Sequence, residues 1–424
     1  MPHTAELIAV GTELLLGSIA NTDAQEISKE LAALGINVYY HTVVGDNPER
    51  LKAAVEIARS RADLIITTGG LGPTCDDLTK NVLAECFDRK LVFHQPSADR
   101  ITAYFAKAHP DREMTENNLQ QAMLPQGCTV LDNDWGTAPG CAWEQDGVTV
   151  IMLPGPPREC HAMLRHRVAP YLREKGEGEI FSRTLCLFGI GESAMEAALR
   201  EQMLTMENPT LAPYAKEGTT ELRITAKAST EEECRTLIAP VEKKLRAQFG
   251  DLVYGADVKD LAQAACALLL EKQVTLATAE SCTGGMIAAR ITDIPGVSAV
   301  YRGGVVCYTD EVKRSAVGVS QALLDAHGAV SPQVCRALAE GVRQKLEAGL
   351  GLSVTGVAGP DPDGRGNPVG LVYVGLSDGK ETWVRTLHLG HGRGRNRNMA
   401  CHHGFDMVRR YLTGLEIVPG QWAE

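Results

Sequence analysis

Short apolar segments that end in glycine-rich turns recur along the chain, and a helical pattern follows most of these turns. "ELIAVG", "DLIITTGG" and "GVTVIMLPG" show this arrangement in the first 165 residues, and "VTLATAESCTGG" and "LGLSVTGVAG" show it after residue 257. Strands that are apolar at consecutive positions are usually buried on both faces of a sheet. The pattern therefore predicts an α/β fold with parallel strands, helices on both faces, and ligand sites where the strands end.

Length, charge and cysteine usage limit the class of protein. A chain of 424 residues is too long for one ordinary core, so several domains are expected. The net charge of -11 and the aromatic content of 5% argue against a nucleic-acid surface. The start of the chain lacks the features of a secretory signal, and no apolar run approaches the ~20 residues that span a bilayer. The twelve scattered cysteines favour reduced thiols and a cytoplasmic protein.

Three regions with different patterns define the predicted domains. Residues 1–170 alternate strands and helices as an α/β domain, and residues 175–255 form a small α+β domain. Residues 257–415 return to an α/β pattern, with a hairpin closed by Asp378 and Gly379 and a final helix from about Arg393.

The turn "ATAESCTGG" combines Ser281, Thr283, Gly284 and Gly285 at the start of a predicted helix. Three interpretations of this turn remain open. It could carry a nucleophile, it could present free backbone N–H groups to a phosphate or an oxyanion, or it could be a plain N-cap. Cys282 is a rival nucleophile, because the thiol pKa falls at a helix N-terminus.

A second segment, "PGVSAVYRGGVVCYTDEVK", contains Ser298, Tyr308 and Lys313. A serine hydroxyl needs a base to become a nucleophile. A partly desolvated lysine can be that base, because burial lowers the pKa of lysine, and a tyrosine can relay the proton. The alternative is a turn serine, a strand tyrosine and an exposed lysine that never meet.

A third turn and a basic helix start complete the C-terminal candidates. "VTGVAGPDPDG" includes Thr355, Gly356 and Gly359, but it lacks the Gly-Lys-Ser/Thr ending of a P-loop, which disfavours phosphoryl transfer. Arg393 and Arg397 lie four residues apart, so they share one helix face and could bind phosphate or carboxylate. A solvated basic helix start is the alternative.

The N-terminal region has its own set of glycine turns at strand ends. The candidate residues for binding a phosphate-bearing ligand there are Gly11, Thr12, Gly69, Gly70, Gly72, Pro154 and Gly155. Asp76 and Asp77 are expected to begin the following helix, where they could either complement the helix dipole or bind a divalent cation. Glu13 is a candidate third ligand.

The segments "TAESCTGG", "YRGGVVCYTDEVK" and "VTGVAGPDPDG" resemble the C-terminal domain of CinA (competence/damage-inducible) proteins. The same domain occurs alone as PncC, the nicotinamide mononucleotide amidohydrolase. The resemblance implies hydrolysis of nicotinamide mononucleotide to nicotinate mononucleotide and ammonia, in pyridine-nucleotide salvage and without a cofactor. It implies Ser298 as the nucleophile, activated by Tyr308 and Lys313. The Ser281 and Thr355 turns and the two arginines would hold the amide and the phosphate.

The N-terminal motifs "AVGTELLLG", "TTGGLGPTCDDLT" and "LPGPPRE" resemble the MogA/MoaB-like domain of molybdenum-cofactor biosynthesis, in the version fused at the front of CinA proteins. That fold binds molybdopterin in some relatives. In CinA relatives it is linked to ADP-ribose pyrophosphatase activity with Mg²⁺, Mn²⁺ or Co²⁺. The middle region resembles the KH-like domain of the family. A homodimer is the expected assembly, and the family name raises the alternative of a scaffold protein in DNA uptake or recombination.

Overall fold

The computed structural model describes residues 4–108, 111, 114–174, 179–390 and 392–420, and the chain forms two compact units. The first unit comprises residues up to 182 together with 225–237, and the second comprises residues 183–224 and the chain from 238 onward. Helices and strands alternate along both units as predicted. The boundaries of the three predicted domains, 1–170, 175–255 and 257–415, stay predictions.

A six-stranded sheet organises the first unit, in the order β2-β1-β3-β8-β7-β6. Strands β1, β2, β3 and β8 are parallel, whereas β7 is antiparallel to both of its neighbours. The predicted parallel sheet is therefore confirmed for four strands. The strands of this sheet are β1 (Thr4–Val10), β2 (Asn37–Val44), β3 (Leu64–Thr68), β6 (Thr129–Leu131), β7 (Gly140–Gln145) and β8 (Val148–Leu153). A small second sheet pairs β4 (Leu91–Phe93) with β5 (Met123–Pro125).

Helices cover both faces of this sheet. Adjacent residues of β3 belong to different apolar clusters: Ile66 packs with Ile27 of the first long helix, and Ile65 packs with Val55 and Leu83 on the other face. The α-helices are α1 (Thr12–Leu15), α2 (Thr22–Ala33), α3 (Pro48–Arg59), α4 (Thr79–Cys86), α5 (Gln95–Ala108), α6 (Pro157–Met163) and α7 (Ala169–Glu174). A 3-10 helix spans Glu116–Ala122, and a π-helical turn spans Leu164–Val168.

One of these helices begins at a side-chain cap, and another begins later than predicted. Asn21 caps α2 by accepting a hydrogen bond from the Ala24 N–H. The expectation that Asp76 and Asp77 begin a helix is wrong, because α4 begins at Thr79. The two carboxylates instead belong to the turn that precedes the helix.

A four-stranded sheet in the order β10-β11-β9-β12 forms the small α+β part of the chain. Its strands are β9 (Glu179–Leu187), β10 (Thr210–Ala215), β11 (Thr220–Ala228) and β12 (Val253–Ala256). The accompanying helices are α8 (Glu192–Thr205), α9 (Glu231–Phe249) and a 3-10 turn at Gly250–Leu252. Strand β12 runs antiparallel to β9, starting from the pair Val253 and Leu187.

The C-terminal part of the second unit is built on a five-stranded sheet in the order β14-β13-β15-β16-β17. Its strands are β13 (Leu276–Glu280), β14 (Tyr301–Val306), β15 (Leu350–Gly356), β16 (Leu371–Ser377) and β17 (Thr382–His388). Strands β14, β13 and β15 are parallel, and β16 and β17 form the predicted antiparallel hairpin. The carboxyl ends of β13, β14 and β15 therefore meet at one edge of the sheet.

Helices again cover both faces of this sheet, because Leu276 of β13 belongs to one apolar cluster and Ala277 to another. These helices are α10 (Leu261–Lys272), α11 (Met286–Thr292), α12 (Asp310–Val317), α13 (Gln321–His327), α14 (Pro332–Lys345) and α15 (Arg393–Thr413), and a 3-10 turn spans Val297–Ala299. Ser331 caps α14 by accepting a hydrogen bond from the Val334 N–H. Within the described residues, every helix is too short or too polar to cross a bilayer.

Candidate functional site

The Ser281 turn lies at the carboxyl end of β13 and leads into α11. The Ser281 N–H donates to the Val354 carbonyl at 2.9 Å, which fixes the turn beside β15. Ser281 is 8% exposed. In the described part of the chain, its hydroxyl and the backbone N–H groups of Cys282 and Thr283 donate no hydrogen bond to another residue. These three donors are therefore available to a ligand.

The Glu280 carboxylate occupies the N-terminus of α11. It accepts hydrogen bonds from the N–H groups of Gly285 (3.1 Å), Ile287 (3.0 Å) and Ala288 (2.8 Å). The backbone N–H groups at the start of α11 were candidates for binding a phosphate. These three N–H groups instead donate to the Glu280 carboxylate. Positive φ angles at Gly284 and Gly285 allow the chain to fold over this carboxylate. Sequence reasoning missed Glu280, although an acidic residue near a helix N-terminus is a recognised signal.

Loss of this internal cap is expected to destabilise the protein. In Glu280→Gln, an amide NH₂ would replace one acceptor oxygen and leave a buried backbone N–H unpaired, which costs about 1–3 kcal/mol. Thermal unfolding should therefore begin at a lower temperature than in the wild type. The matched control is Glu271→Gln on α10, an exposed position whose change should leave the melting temperature unaltered. Equal melting temperatures for all three proteins would contradict the capping role.

Lys313 lies buried at the same sheet edge. It is 1% exposed, and its Nζ donates to the Tyr308 carbonyl oxygen at 3.3 Å and lies 3.7 Å from the Asp310 carboxylate. The Cys307 N–H donates to the Glu280 carbonyl at 2.9 Å, so the backbone at 307–308 adjoins the Ser281 turn. The structure thus brings Lys313 and Tyr308 to the edge that carries Ser281. The Tyr308 side chain is 59% exposed.

Ser298 does not belong to this edge. It is exposed in the 3-10 turn at Val297–Ala299, at the amino end of β14, whereas Tyr308 lies beyond the carboxyl end. The six residues of β14 separate the two ends by roughly 20 Å, at about 3.3 Å per residue. The role of Ser298 as nucleophile stays a prediction, although Ser298, Tyr308 and Lys313 do not meet in one cleft within a single chain. The reason is that one extended strand lies between the serine and the other two residues.

The cysteines near the edge are neutral thiols. Burial raises the pKa of the Cys282 thiol to about 12, against smaller opposing effects that include the charge of Arg397. The pKa of the Cys282 thiol is therefore raised, whereas a lowered pKa was expected for a thiol at a helix N-terminus. Burial likewise raises the pKa of Cys307 to about 11, although the nearby Lys313 ammonium opposes the increase. Neither thiol is ionised at neutral pH.

Two arginines at the start of α15 tie the loops of the edge together. Arg397 donates from Nε and Nη2 to the carbonyls of Cys282 and Thr283, both at 2.9 Å. Arg393 donates from Nη1 to the Gly359 carbonyl at 2.7 Å. Among the described residues neither guanidinium has a carboxylate partner, so their charges remain available to an anionic ligand.

In the third predicted turn, the role of Thr355 is mainly structural. The Thr355 hydroxyl donates to the Ala329 carbonyl at 2.7 Å, and the side chain is fully buried. Gly356 ends β15, and Gly359 has a φ of +100°, where an added Cβ would lie 2.8 Å from Val369. The glycines shape the loop that Arg393 holds, whereas the Thr355 hydroxyl is already used inside the protein.

The first unit contains a separate cleft of about 530 Å³ where its glycine turns converge. At its base, an added Cβ on Gly69 would lie 2.2 Å from the Val10 carbonyl, and one on Gly155 would lie 3.2 Å from Gly69. Only glycine permits this close approach. The predicted residues that line the cleft are Gly11, Glu13, Gly69, Gly70, Gly72, Asp76, Asp77, Pro154 and Gly155.

Thr12, the remaining predicted residue, supports the cleft through a residue that the sequence did not reveal. The Thr12 N–H and hydroxyl donate to the Asp46 carboxylate at 3.0 and 2.7 Å, and Asp46 lines the cleft. The segment "VVGDN" after β2 repeats the strand-then-glycine pattern of the other turns, and this was the available signal.

The three carboxylates proposed as metal ligands line the cleft without forming a metal centre. The Thr74 hydroxyl donates to Asp77 at 2.6 Å and also to Asp76, where it lowers the pKa of that carboxyl. Within the described residues, no group of three or more His, Cys, Asp or Glu side chains is placed to hold a metal ion. Glu13, Asp76 and Asp77 are therefore not gathered into one ligand set among these residues, and the metal requirement stays a prediction.

These folds and sites define a multidomain α/β protein with a small-molecule cleft in the first unit and a separate candidate site at a sheet edge of the second. Three family models match the chain: the probable molybdopterin binding domain over residues 6–174, the damage-inducible protein CinA KH domain over 182–255, and the CinA C-terminal domain over 258–412. The chain belongs to the CinA family. The resemblance and the fold class that the sequence predicted are thus confirmed.

Two relatives of similar length support this assignment. The chain is 48% identical over 412 residues to a putative competence-damage inducible protein of Acetivibrio thermocellus. This match covers 97% of this chain and 99% of that protein. The chain is 47% identical over 410 residues to a CinA-like protein of Dictyoglomus turgidum, with the same coverage. A crystal structure of CinA from Thermoplasma acidophilum is 34% identical, with a TM-score of 0.35, and covers 38% of this chain and 94% of that one.

Proposed function

We propose that the C-terminal domain hydrolyses the carboxamide of nicotinamide mononucleotide to nicotinate mononucleotide and ammonia, with Ser281 as the nucleophile. The observation that carries the proposal is the buried Lys313, held at the sheet edge that also bears Ser281. Amide hydrolysis by a serine requires a base of this kind. The names of the relatives specify no reaction, so this activity is our inference from the residues and the family resemblance.

The proposed reaction has two steps. In the form of the protein whose Lys313 side chain is a free amine, the Ser281 Oγ attacks the carboxamide carbon and the hydroxyl proton passes to the Lys313 Nζ. The backbone N–H groups of Cys282 and Thr283 stabilise the oxyanion. The C–N bond then breaks, the nitrogen takes the proton from Lys313 and leaves as ammonia, and an ester remains on Ser281. Water hydrolyses this ester, which releases the carboxylate and restores the serine hydroxyl.

Substrate phosphate would bind at the start of α15. Arg393 and Arg397 hold two loops of the edge through backbone carbonyls, and each guanidinium retains N–H groups for a phosphate oxygen. Nicotinamide riboside lacks this phosphate and should therefore be a much poorer substrate. The test is ammonia release by the full chain from each compound. Equal rates with both compounds would contradict the phosphate site, and no ammonia from either would contradict the amidase.

A second candidate function is metal-dependent hydrolysis of the pyrophosphate of ADP-ribose in the first unit. The cleft there has a size typical of small-molecule sites, and its glycine turns permit close approach of phosphate groups. One half-buried carboxyl also supports a reactive cleft. Glu159 lines the cleft, and burial raises the pKa of its carboxyl.

This second function is tested by ADP-ribose hydrolysis with Mg²⁺, Mn²⁺ or Co²⁺ and with a chelator. We expect metal-stimulated release of AMP, and at least about a tenfold loss in Asp46→Asn, because that carboxylate orders the Thr12 loop. Ser281→Ala is the matched control, since Ser281 lies in the other unit and should leave this reaction unchanged. Absence of turnover with every metal would rule the second function out.

A binding or scaffold role in DNA uptake or recombination remains the alternative from another class. Strong, salt-sensitive binding of DNA would favour it. The homodimer and the cytoplasmic location also stay predictions. Light scattering of the purified protein tests the first of these.

A further inference from the structure

A cavity of about 530 Å³ lies in the second unit between the β10–β11 hairpin, the loop before α8, and the first turns of α15. It is distinct from the candidate active site, because no residue of the Ser281 turn or of the Gly356–Gly359 turn lines it. Its volume falls in the range of about 300–1,000 Å³ that is typical of small-molecule sites. The residues that characterise its walls are Phe188, Ile190, Lys216, Leu389, Arg395 and Met399.

One wall of the cavity is cationic. Arg395 lies two positions from both Arg393 and Arg397, so at about 100° per residue it occupies roughly the opposite face of α15. In the described part of the chain, Arg395 makes no hydrogen bond or ion pair, unlike its two neighbours. Lys216 also lines the cavity and pairs with Glu221, and Glu192 lines the cavity as well. Arg395 thus lines the cavity without an ion-pair partner among the described residues.

Several other residues that line the cavity are apolar or aromatic. Phe188 is buried and packs edge-on against His403, with ring centroids 4.9 Å apart, and Leu389 and Met399 are half-buried beside them. His403 lines the cavity, and burial lowers its pKa to about 3, so it is neutral at physiological pH. An aromatic or aliphatic group would find contacts here that it would not find on a solvated surface.

The walls are fixed by hydrogen bonds. Asn398 of α15 donates to the Glu217 carboxylate of the hairpin at 2.8 Å and accepts from Arg290 of α11 at 2.9 Å. The Thr220 hydroxyl donates to the Ile190 carbonyl at 2.8 Å, which holds the loop before α8 against the hairpin. The cavity is therefore preorganised, and a ligand would lose little binding free energy to ordering its walls.

We propose that this cavity binds a mononucleotide, with its phosphate on Arg395 and its base against the wall formed by Phe188 and Met399. The site combines one unpaired guanidinium for the anion with apolar surface for a flat ring. It is a third site in the chain, separate from the cleft of the first unit and from the Ser281 sheet edge. It is independent of the proposed amidase activity.

Calorimetric titration of the full chain with AMP and with adenosine tests this site. AMP should bind, and adenosine should bind at least about tenfold more weakly, because it lacks the group that Arg395 would contact. Two variants locate the site. Arg395→Gln removes the charge, and Ala215→Trp fills the cavity from the end of β10 without changing any charge. Each should weaken AMP binding at least tenfold, whereas Arg302→Gln on β14 should leave it unchanged.

Several outcomes would overturn the proposal. Wild-type affinity for AMP in either cavity variant, with an unaltered melting temperature, would show that AMP binds elsewhere in the chain. Equal affinities for AMP and adenosine would contradict the contact between the phosphate and Arg395. Absence of AMP binding to the wild-type protein would contradict the proposed site. Because this experiment measures AMP binding and the amidase assay measures ammonia release, a negative result in one assay can be distinguished from a negative result in the other.

Discussion

Ser281→Ala is expected to lower ammonia release from nicotinamide mononucleotide by roughly a thousandfold or more, since removal of a nucleophile eliminates the covalent route. Ser298→Ala should keep most of the wild-type rate. Ser281 shares a sheet edge with the buried Lys313, whereas Ser298 is exposed at the far end of β14. The measurement is kcat and KM for ammonia release by each variant.

Cys282→Ala is the matched control for this experiment, because it lies next to Ser281 in the same turn. Burial keeps the Cys282 thiol protonated, so this variant should retain most of its activity. An inactive Ser298→Ala protein beside an active Ser281→Ala protein would refute the assignment. An inactive Cys282→Ala protein with native stability would indicate a thiol nucleophile instead.

Lys313→Met is expected to reduce kcat by about a hundredfold to ten-thousandfold, the range over which general acid–base groups contribute to catalysis. The fold should survive, because methionine has a similar length and the Asp310 carboxylate that loses its partner is exposed to solvent, so no buried charge is left unpaired. Activity should therefore fall without a lower melting temperature. Lys345→Met, an exposed position on α14, is the matched control and should keep the wild-type rate.

Two results would contradict the role of Lys313. A Lys313→Met protein with a wild-type rate would show that the serine needs no base at this position. A protein that loses activity only in proportion to its loss of folded material would indicate a structural lysine. The pH dependence of kcat separates the cases, since removal of a base changes the profile and destabilisation alone does not.

Local signals in the sequence were sufficient to predict many individual elements. Asn21 and Ser331 cap their helices because their side chains accept backbone N–H groups, a short-range interaction that the sequence displays directly. The hairpin at Asp378 and Gly379 is also local. Apolar runs of β3 and β13 predicted strands buried on both faces, and each strand contributes to two cores.

The candidate site was only partly predictable, because it depends on which strands pair. The family resemblance implied that Ser298, ten residues before Tyr308, is the nucleophile activated by Tyr308 and Lys313. Pairing of β14 with β13 instead places Tyr308 beside the Ser281 turn and leaves Ser298 at the other end. This parallel register depends on packing between distant segments, which a local pattern does not reveal.

Two residues that hold turns by accepting hydrogen bonds from backbone N–H groups were not predicted from the sequence. Glu280 and Asp46 each hold a turn by accepting N–H groups, and neither belongs to the serine, lysine and arginine patterns that attract attention as chemistry. Asp76 and Asp77 attracted attention as paired carboxylates, yet both accept a hydrogen bond from Thr74 in the same turn. Paired acidic residues in a turn therefore do not by themselves predict a metal site.

Mass spectrometry of the protein, quenched with acid during turnover of nicotinamide mononucleotide, tests the central claim most directly. Trypsin separates the two serines, because residues 273–290 contain Ser281 and residues 291–302 contain Ser298. We predict a nicotinyl-nucleotide ester on the peptide 273–290, located at Ser281 by fragmentation and absent from Ser281→Ala. The same ester on the peptide 291–302 would contradict the account.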